Sequence, residues 1–243
     1  MSESPTHRLV KTPKVNGRYL SDYMVASERA RRTIIRDCKY RKIARALQHS
    51  NAKAFIANAL RSGALSPDSL REEGHRLHEM MADSDFERDT LDVNGDFLKA
   101  YGEVFSMETF PSTAEIVDIP PKFKANINGV EVNPDIRFGV QRVTRTNRLR
   151  TGFGTIRYAK NKPLGDELGA FQSSILFGFR KMLDVQDDAA PEEKLCLTLD
   201  CVTGNFIPAP TDATRRFQNV EAACATIAER WDNIEPPENA VLA

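Results

Sequence analysis

The chain has 243 residues and 27.3 kDa, enough for one large domain or a domain with a helical extension, and its 41% hydrophobic and 28% charged residues describe an ordinary globular protein. Its 34 Lys and Arg balance its 34 Asp and Glu, so no overall field steers it to nucleic acid or to a membrane surface. No apolar run approaches the ~20 residues of a membrane span and the N-terminus lacks a signal-peptide core, so a cytoplasmic protein with no membrane partner is expected.

Residues 1–17 are polar, with Pro5 and Pro13, and are expected to form a flexible leader. Tyr19-Leu20-Ser21 reads as a helix entrance, with Ser21 as N-cap and Asp22 favouring the first turn. That helix runs through Tyr23, Met24, Ala30, Ile34 and Ile35, and a second helical pattern spans Ile43 to Leu60, ending near Gly63. Ser66-Pro67-Asp68 starts another helix, with proline at its first position and Leu70, Leu77, Met80 and Met81 on its apolar side. Turn formers and acids fill Ser84–Asp96 before a helical pattern resumes over Phe97–Phe105. Residues 18–107 thus read as a mostly helical half.

From Ala114 the composition changes. Pro120-Pro121 punctuates the chain, and Asn128-Gly129 is a strong hairpin-turn signal. Val130, Val132, Ile136, Phe138 and Val140 alternate as a β-strand does, and Phe153–Tyr158 forms a second strand beyond a polar, Arg-rich hairpin. A helix is predicted over Asp166–Leu183, with Leu168, Phe171, Ile175 and Phe179 on one face. An acidic loop over Asp184–Glu193 leads to an apolar strand at Lys194–Val202 and a partner strand from Phe206 that Pro208 and Pro210 end. Phe217, Val220, Cys224, Ile227 and Trp231 then mark an amphipathic helix stopped by Pro236-Pro237, with residues 235–243 as a flexible tail. Residues 108–234 are therefore an α/β (α+β) core, a small mixed β-sheet flanked by helices.

Cys38, Cys196, Cys201 and Cys224 show no CxxC spacing and no ordered His partners, which excludes a recognisable zinc or iron–sulfur pattern; they read as buried thiols of a reduced protein. Charge is segregated locally. Between Ile136 and Gly165 no acid occurs, yet Arg137, Arg142, Arg145, Arg148, Arg150, Arg157, Lys160 and Lys162 all fall there. Such a patch suits contacts to nucleic-acid phosphates, which position a strand without reading its sequence. The bland reading is an exposed hairpin whose charge is matched by the acids at Asp68–Asp96.

The order strand, hairpin, strand, helix, strand, with the acid of Pro134-Asp135 on the first strand and Thr155-Ile156-Arg157 on the second, resembles the PD-(D/E)XK nuclease superfamily, in particular its RecB-type exonuclease branch. Gln172-Ser-Ser-Ile-Leu176 lies where RecB-type members carry a QxxxY motif. Gly74-His75-Arg76-Leu77-His78 is similar to a GxxxH helix whose histidine is a metal ligand, and Tyr19–Met24 is similar to the serine-led helix that opens such domains. The resemblance covers residues 19–232 and implies a restriction-endonuclease-like core. In an active member Asp135 and His78 would hold Mg²⁺ or Mn²⁺, helped by an acid such as Asp166 or Asp200. Arg157 would stabilise the phosphate in the transition state, and Gln172 would orient the scissile strand.

The departures point to an eroded site. Thr155 stands at the acid position, Arg157 at the lysine and Leu176 at the tyrosine, and an arginine is no proton shuttle at neutral pH. The expectation is a nuclease-like protein of phage, mobile-element or bacterial DNA metabolism that binds DNA through the basic hairpin, with no cofactor if catalysis is lost. The alternative is a non-enzymatic module that docks a protein partner through its helical half.

Overall fold

The computed structural model describes residues 5–43, 49–119, 123–160, 162–183 and 189–242. The Pro120-Pro121 break, residues 44–48 of the helical pattern expected from Ile43 to Leu60, and the first half of the acidic loop lie outside these residues.

The elements run β1 (His7–Leu9), β2 (Lys14–Asn16), α1 (Gly17–Val25), α2 (Glu28–Lys39), β3 (Tyr40–Lys42), α3 (Ser50–Ser62), α4 (Pro67–Glu79), α5 (Asp85–Val104) and β4 (Glu115–Val117). There follow β5 (Ala125–Ile127), β6 (Val130–Asn133), β7 (Phe138–Val143), β8 (Leu149–Arg157), α6 (Asp166–Met182), β9 (Ala190–Pro191), β10 (Leu197–Asp200), β11 (Asn205–Pro208) and α7 (Ala213–Trp231). Among the described residues no helix is long and apolar enough to cross a membrane.

The main sheet has the order β11-β10-β8-β7-β4, with β9 beside β8. β4, β7 and β8 form an antiparallel meander, α6 crosses over, and β10 returns parallel to β8, with Thr198 opposite Thr155 and Asp200 opposite Arg157. A second sheet, β2-β6-β5, and a ribbon, β1-β3, stand apart from it. The mixed α/β architecture expected from the sequence is present.

α6 is the central helix. Asp166 and Glu167 in its first turn and Arg180 and Lys181 in its last complement the helix dipole, and most of its circumference is buried. Gly178 is required there, because a Cβ would lie 2.2 Å from the Phe217 ring of α7. One apolar core joins α3, α4 and α5 to Phe138, Val140, Ile156, Leu197 and Leu199 on one face of the sheet. Another joins α1, α2, α6 and α7 to the small sheet, with Trp231 and Phe179 at its centre. The expected helical half therefore divides: α1 and α2 pack with α6 and α7, while α3–α5 cover the opposite sheet face.

Several local expectations are corrected. α1 begins at Gly17 because the Asn16 side chain accepts from Tyr19 N at 2.9 Å, which leaves Ser21 inside the helix. The chain leaves the helix at Ala26, and Ser27 caps a separate α2. Ser84 caps α5, whose first turn takes Asp85 and Glu87, so the acid-rich segment is helix and not loop. The strand expected through Val140 is split at Pro134, which has no N–H for a ladder, into β6 and β7 of different sheets. Of the expected leader, residues 5–17 contain β1 and β2, and of the expected tail, residues 235–242 are not free: Val241 O accepts from Thr6 N at 2.9 Å and from His7 N at 3.0 Å. The Asn128-Gly129 turn joins β5 to β6 with φ of 46° and 86°, the two left-handed residues of a type I′ hairpin.

Candidate functional site

On β8 the side chains alternate, so Thr155 and Arg157 share the sheet face covered by α6, while Ile156 enters the core beneath α3–α5. Arg157 is 6% exposed. Its Nη1 donates to Gln172 Oε1 on α6 at 3.0 Å, to Ser21 Oγ at 3.3 Å and to Arg18 O at 3.3 Å. Its Nη2 donates to the Asp22 carboxylate in a close ion pair. Ser21 Oγ completes the triangle, donating to Gln172 Oε1 at 2.7 Å. Burial works against charge on Arg157 and the Asp22 carboxylate restores it. The structure brings Arg157 and Gln172 into contact, and α1 supplies the acid that β8 lacks.

Asp135 sits beside this cluster but in the break between β6 and β7, not on a strand. Its φ is 57°, held by its own N–H on Asn133 Oδ1 at 3.0 Å and by its carbonyl, which accepts from Thr155 Oγ1 at 2.8 Å. Its carboxylate pairs with Arg137 Nη2 at 2.7 Å. α1 starts so close to this turn that a Cβ at Gly17 would be 3.0 Å from Pro134 O and 3.3 Å from Gln172 Nε2.

α3 closes the opposite side. Lys53 is 8% exposed, and burial, with Arg18 and Arg137 nearby, pushes its amine down to about 8 against the pull of Asp135. His49 lies edge-on to the stacked rings of Phe97 and Tyr158. Burial first, then Lys53 and Arg18, lower its imidazole to about 4, so it is neutral at physiological pH. Arg18 Nε, His49 Nδ1, Arg137 Nε and Arg157 Nε are all buried with no hydrogen-bond partner among the described residues.

The donor set does not fit the divalent metal that an active nuclease needs, which takes several free carboxylate or carbonyl oxygens. Asp135 and Asp22 are each occupied by an arginine. Asp200 Oδ2 accepts from Leu164 N and Thr203 Oγ1, both at 2.9 Å, and its Oδ1 accepts from Val202 N at 3.1 Å. Asp166 is exposed in the first turn of α6. Among the described residues no group of three His, Cys, Asp or Glu could hold a metal ion.

His78, expected to share a metal with Asp135, instead faces α5, with Nδ1 3.0 Å from Asp92 and Nε2 3.4 Å from Asp96. Its GxxxH segment is a helix-packing device: a Cβ at Gly74 would stand 3.0 Å from Gly95 O, and one at Gly95 would stand 2.9 Å from Gly74 O. His75 is exposed, and Leu176, where a tyrosine was sought, is fully buried.

The basic hairpin forms as expected. Past Arg142 and Leu149 its strands pair only with each other, and Arg145 and Arg148 are exposed at its tip with no ion pair among the described residues; half-buried Arg150 has none either. Arg142, directly opposite Arg150, is neutralised by Glu192, which it grips through Nε at 2.9 Å and Nη2 at 2.8 Å. Arg137 turns back to Asp135, while Lys160 and Lys162 are exposed. The acids at Asp68–Asp96 do not neutralise the hairpin: Asp68, Glu73 and Asp92 pair within α4 and α5, with Arg71, Arg76 and Arg88.

Arg18 and Lys53 were not singled out in the sequence, and Asp22 was read only as a first-turn acid. Lys53 did carry a signal, since it falls in register with Ile56, Ala57 and Leu60 on the buried stripe of α3. Comparison of the chain with protein-family models and with curated protein sequences finds no match.

Proposed function

We propose that this chain is a nucleic-acid-binding protein on a PD-(D/E)XK-like, RecB-type scaffold that has lost the donor set for catalytic metal, serving DNA metabolism in a phage, mobile element or bacterium. What carries the reading is the β7–β8 hairpin: a self-paired, acid-free tip with exposed Arg145 and Arg148, in a chain of zero net charge. Cations gathered on one projecting element exchange counterions for phosphates. The scaffold part of the proposal rests on the meander-then-crossover order β4-β7-β8-α6-β10 and on the 3.0 Å contact between Arg157 and Gln172.

The test is the salt dependence of binding to labelled single- and double-stranded DNA. Replacing Arg145, Arg148 and Arg150 together by alanine should reduce the slope of log K against log salt by about two to three on duplex DNA, from a per-phosphate slope of roughly −0.9. An unchanged slope removes the hairpin as the binding surface. A manganese-dependent cleavage assay should show no activity. Cleavage abolished by Asp135→Ala would show instead that metal chemistry survives.

A second reading is favoured by one surface. At the α4–α5 turn Met80, Met81 and Phe86 are 39%, 94% and 52% exposed, a set suited to a protein partner docked on the helical layer.

A further inference from the structure

Among the described residues two lysines are almost fully buried, Lys39 and Lys53, and they differ in one respect. Lys39 is 8% exposed and its Nζ caps the end of α7, donating to Trp231 O at 2.7 Å, Ile234 O at 3.0 Å and Asp232 O at 3.2 Å. Lys53 is equally buried, yet its Nζ has no hydrogen bond among the described residues. The Lys53 stem is buried while its Nζ is not one of the buried unpaired atoms, so the amine tip is open to a ligand; burial and the Arg18 and Arg137 guanidinium groups beside it work against its charge.

The carboxylates nearby do not relieve it. Asp22 is taken by Arg157, Asp135 by Arg137, and Asp200 by one hydroxyl and two backbone N–H groups. His49 is neutral, and the remaining neighbour, Cys201, is a thiol that burial keeps protonated. Arg18 and Lys53 are therefore left as two cations with no ion pair among the described residues, close enough for each to influence the other. The buried Nε atoms of Arg18 and Arg137 lack acceptors among the described residues. Two unpaired cations with unmet donors on Arg18 and Arg137 describe a site for a compact dianion with several oxygens.

We propose that the junction of α1, α3 and the start of β7, where a Cβ at Gly17 would be 3.0 Å from Pro134 O and Arg61 of α3 donates to Arg137 O at 2.8 Å, binds one phosphomonoester group, with Arg18 and Lys53 as its charge partners and Arg137 as a further donor. A phosphomonoester carries about −1.5 to −2 at pH 7 and three strong acceptor oxygens. A phosphodiester within a strand carries a single charge, and its two flanking sugars would have to enter a site whose lysine is 8% exposed. The end of a strand enters as one group. The inference deepens the nucleic-acid reading by giving the protein a place for a phosphorylated terminus, and the same chemistry admits a mononucleotide.

Calorimetric titration with inorganic phosphate, then a mononucleotide, then short oligonucleotides ending in phosphate or hydroxyl, tests it. Phosphate should bind the wild type at pH 7 and at least tenfold more weakly to Lys53→Met and to Arg18→Met. In the wild type, affinity should fall as pH rises past about 8, towards tenfold per unit, and this fall should be absent in Lys53→Met. Lys53→Met should also melt at a higher temperature than the wild type, so its lost binding is not lost folding. Equal phosphate affinity in wild type and Lys53→Met overturns the proposal, as does no phosphate binding to the wild type. Preference for the phosphate-ended oligonucleotide supports a strand terminus. Phosphate and mononucleotide binding without that preference overturns the terminus and keeps the site for a free nucleotide. Phosphate binding that persists when the hairpin variant has lost DNA separates failure of one proposal from failure of the other.

Discussion

Cutting the Asp22–Arg157 pair from its two ends should cost unequal amounts. Asp22→Ala strands a guanidinium whose side chain is 7% exposed, whereas Arg157→Met strands a carboxylate that is 27% exposed and accessible to water. Removing one partner of a buried pair costs about 3–5 kcal/mol, because the remaining charge stays desolvated. The lower end, about 3 kcal/mol, applies to Asp22→Ala, since Arg157 keeps Gln172 Oε1, Ser21 Oγ and Arg18 O as acceptors. Arg157→Met should cost about 1 kcal/mol: methionine fills much of the volume, Asp22 rehydrates, and the amide oxygen of Gln172 still accepts from Ser21. Urea unfolding at pH 7, followed by far-ultraviolet circular dichroism with the m-value checked for constancy, measures both. If Arg157→Met proved as damaging as Asp22→Ala, the buried guanidinium would not be the group that needs its partner.

Lys53→Met should stabilise the protein at pH 7 in phosphate-free buffer, by up to about 3 kcal/mol for an amine held near 8 instead of 10.5. The folded value is the lower one, so the penalty is complete below pH 8 and disappears between about 8 and 10.5; the stability gap between the two proteins should close over that window. His49, lowered from 6.5 to about 4, leaves the unfolded chain binding the extra proton, so stability should fall as pH drops from 6.5 towards 4, and His49→Phe should blunt the fall. Burial raises Cys38, Cys196 and Cys224 to about 12 and Cys201 well above its ordinary value, so a disulfide reagent at pH 8 should label the native protein slowly and four thiols after unfolding. Gly154→Ala would bring a Cβ to 2.0 Å from the Phe138 ring and should cost roughly 1–3 kcal/mol or more; a neutral result in thermal unfolding would contradict the packing of β7 on β8.

What the sequence made legible was short-range. Proline at the first position of α4, left-handed Gly63 beyond α3, Asn128-Gly129 and the apolar stripe of α7 each act within a few residues, and each stands where its chemistry requires. Arg157 and Gln172 were each legible as candidates, and their contact follows from the 15 residues that separate a strand from the helix crossing back over it. What stayed hidden depended on long-range approach. Asp22 reaches Arg157 across 135 residues, and Lys53 becomes exceptional only when α3 lies beside Asp135. Ser21 and Asp22 looked like cap residues because nothing local distinguishes a capping hydroxyl from one aimed at a distant glutamine. His78 misled for the opposite reason: a Gly–His spacing on a helix serves helix packing as readily as metal binding, and Gly95 decided between them.

We propose that arginines and a lysine hold an oxyanion at the place where the resemblance to metal-dependent nucleases puts a metal ion. Anomalous diffraction from crystals soaked separately in tungstate, a tetrahedral dianion, and in manganese tests it most directly. The expected result is a tungsten peak within hydrogen-bonding reach of Lys53 and Arg18, with no manganese at Asp135. A manganese ion bound by Asp135, or tungstate confined to the hairpin tip, would contradict it.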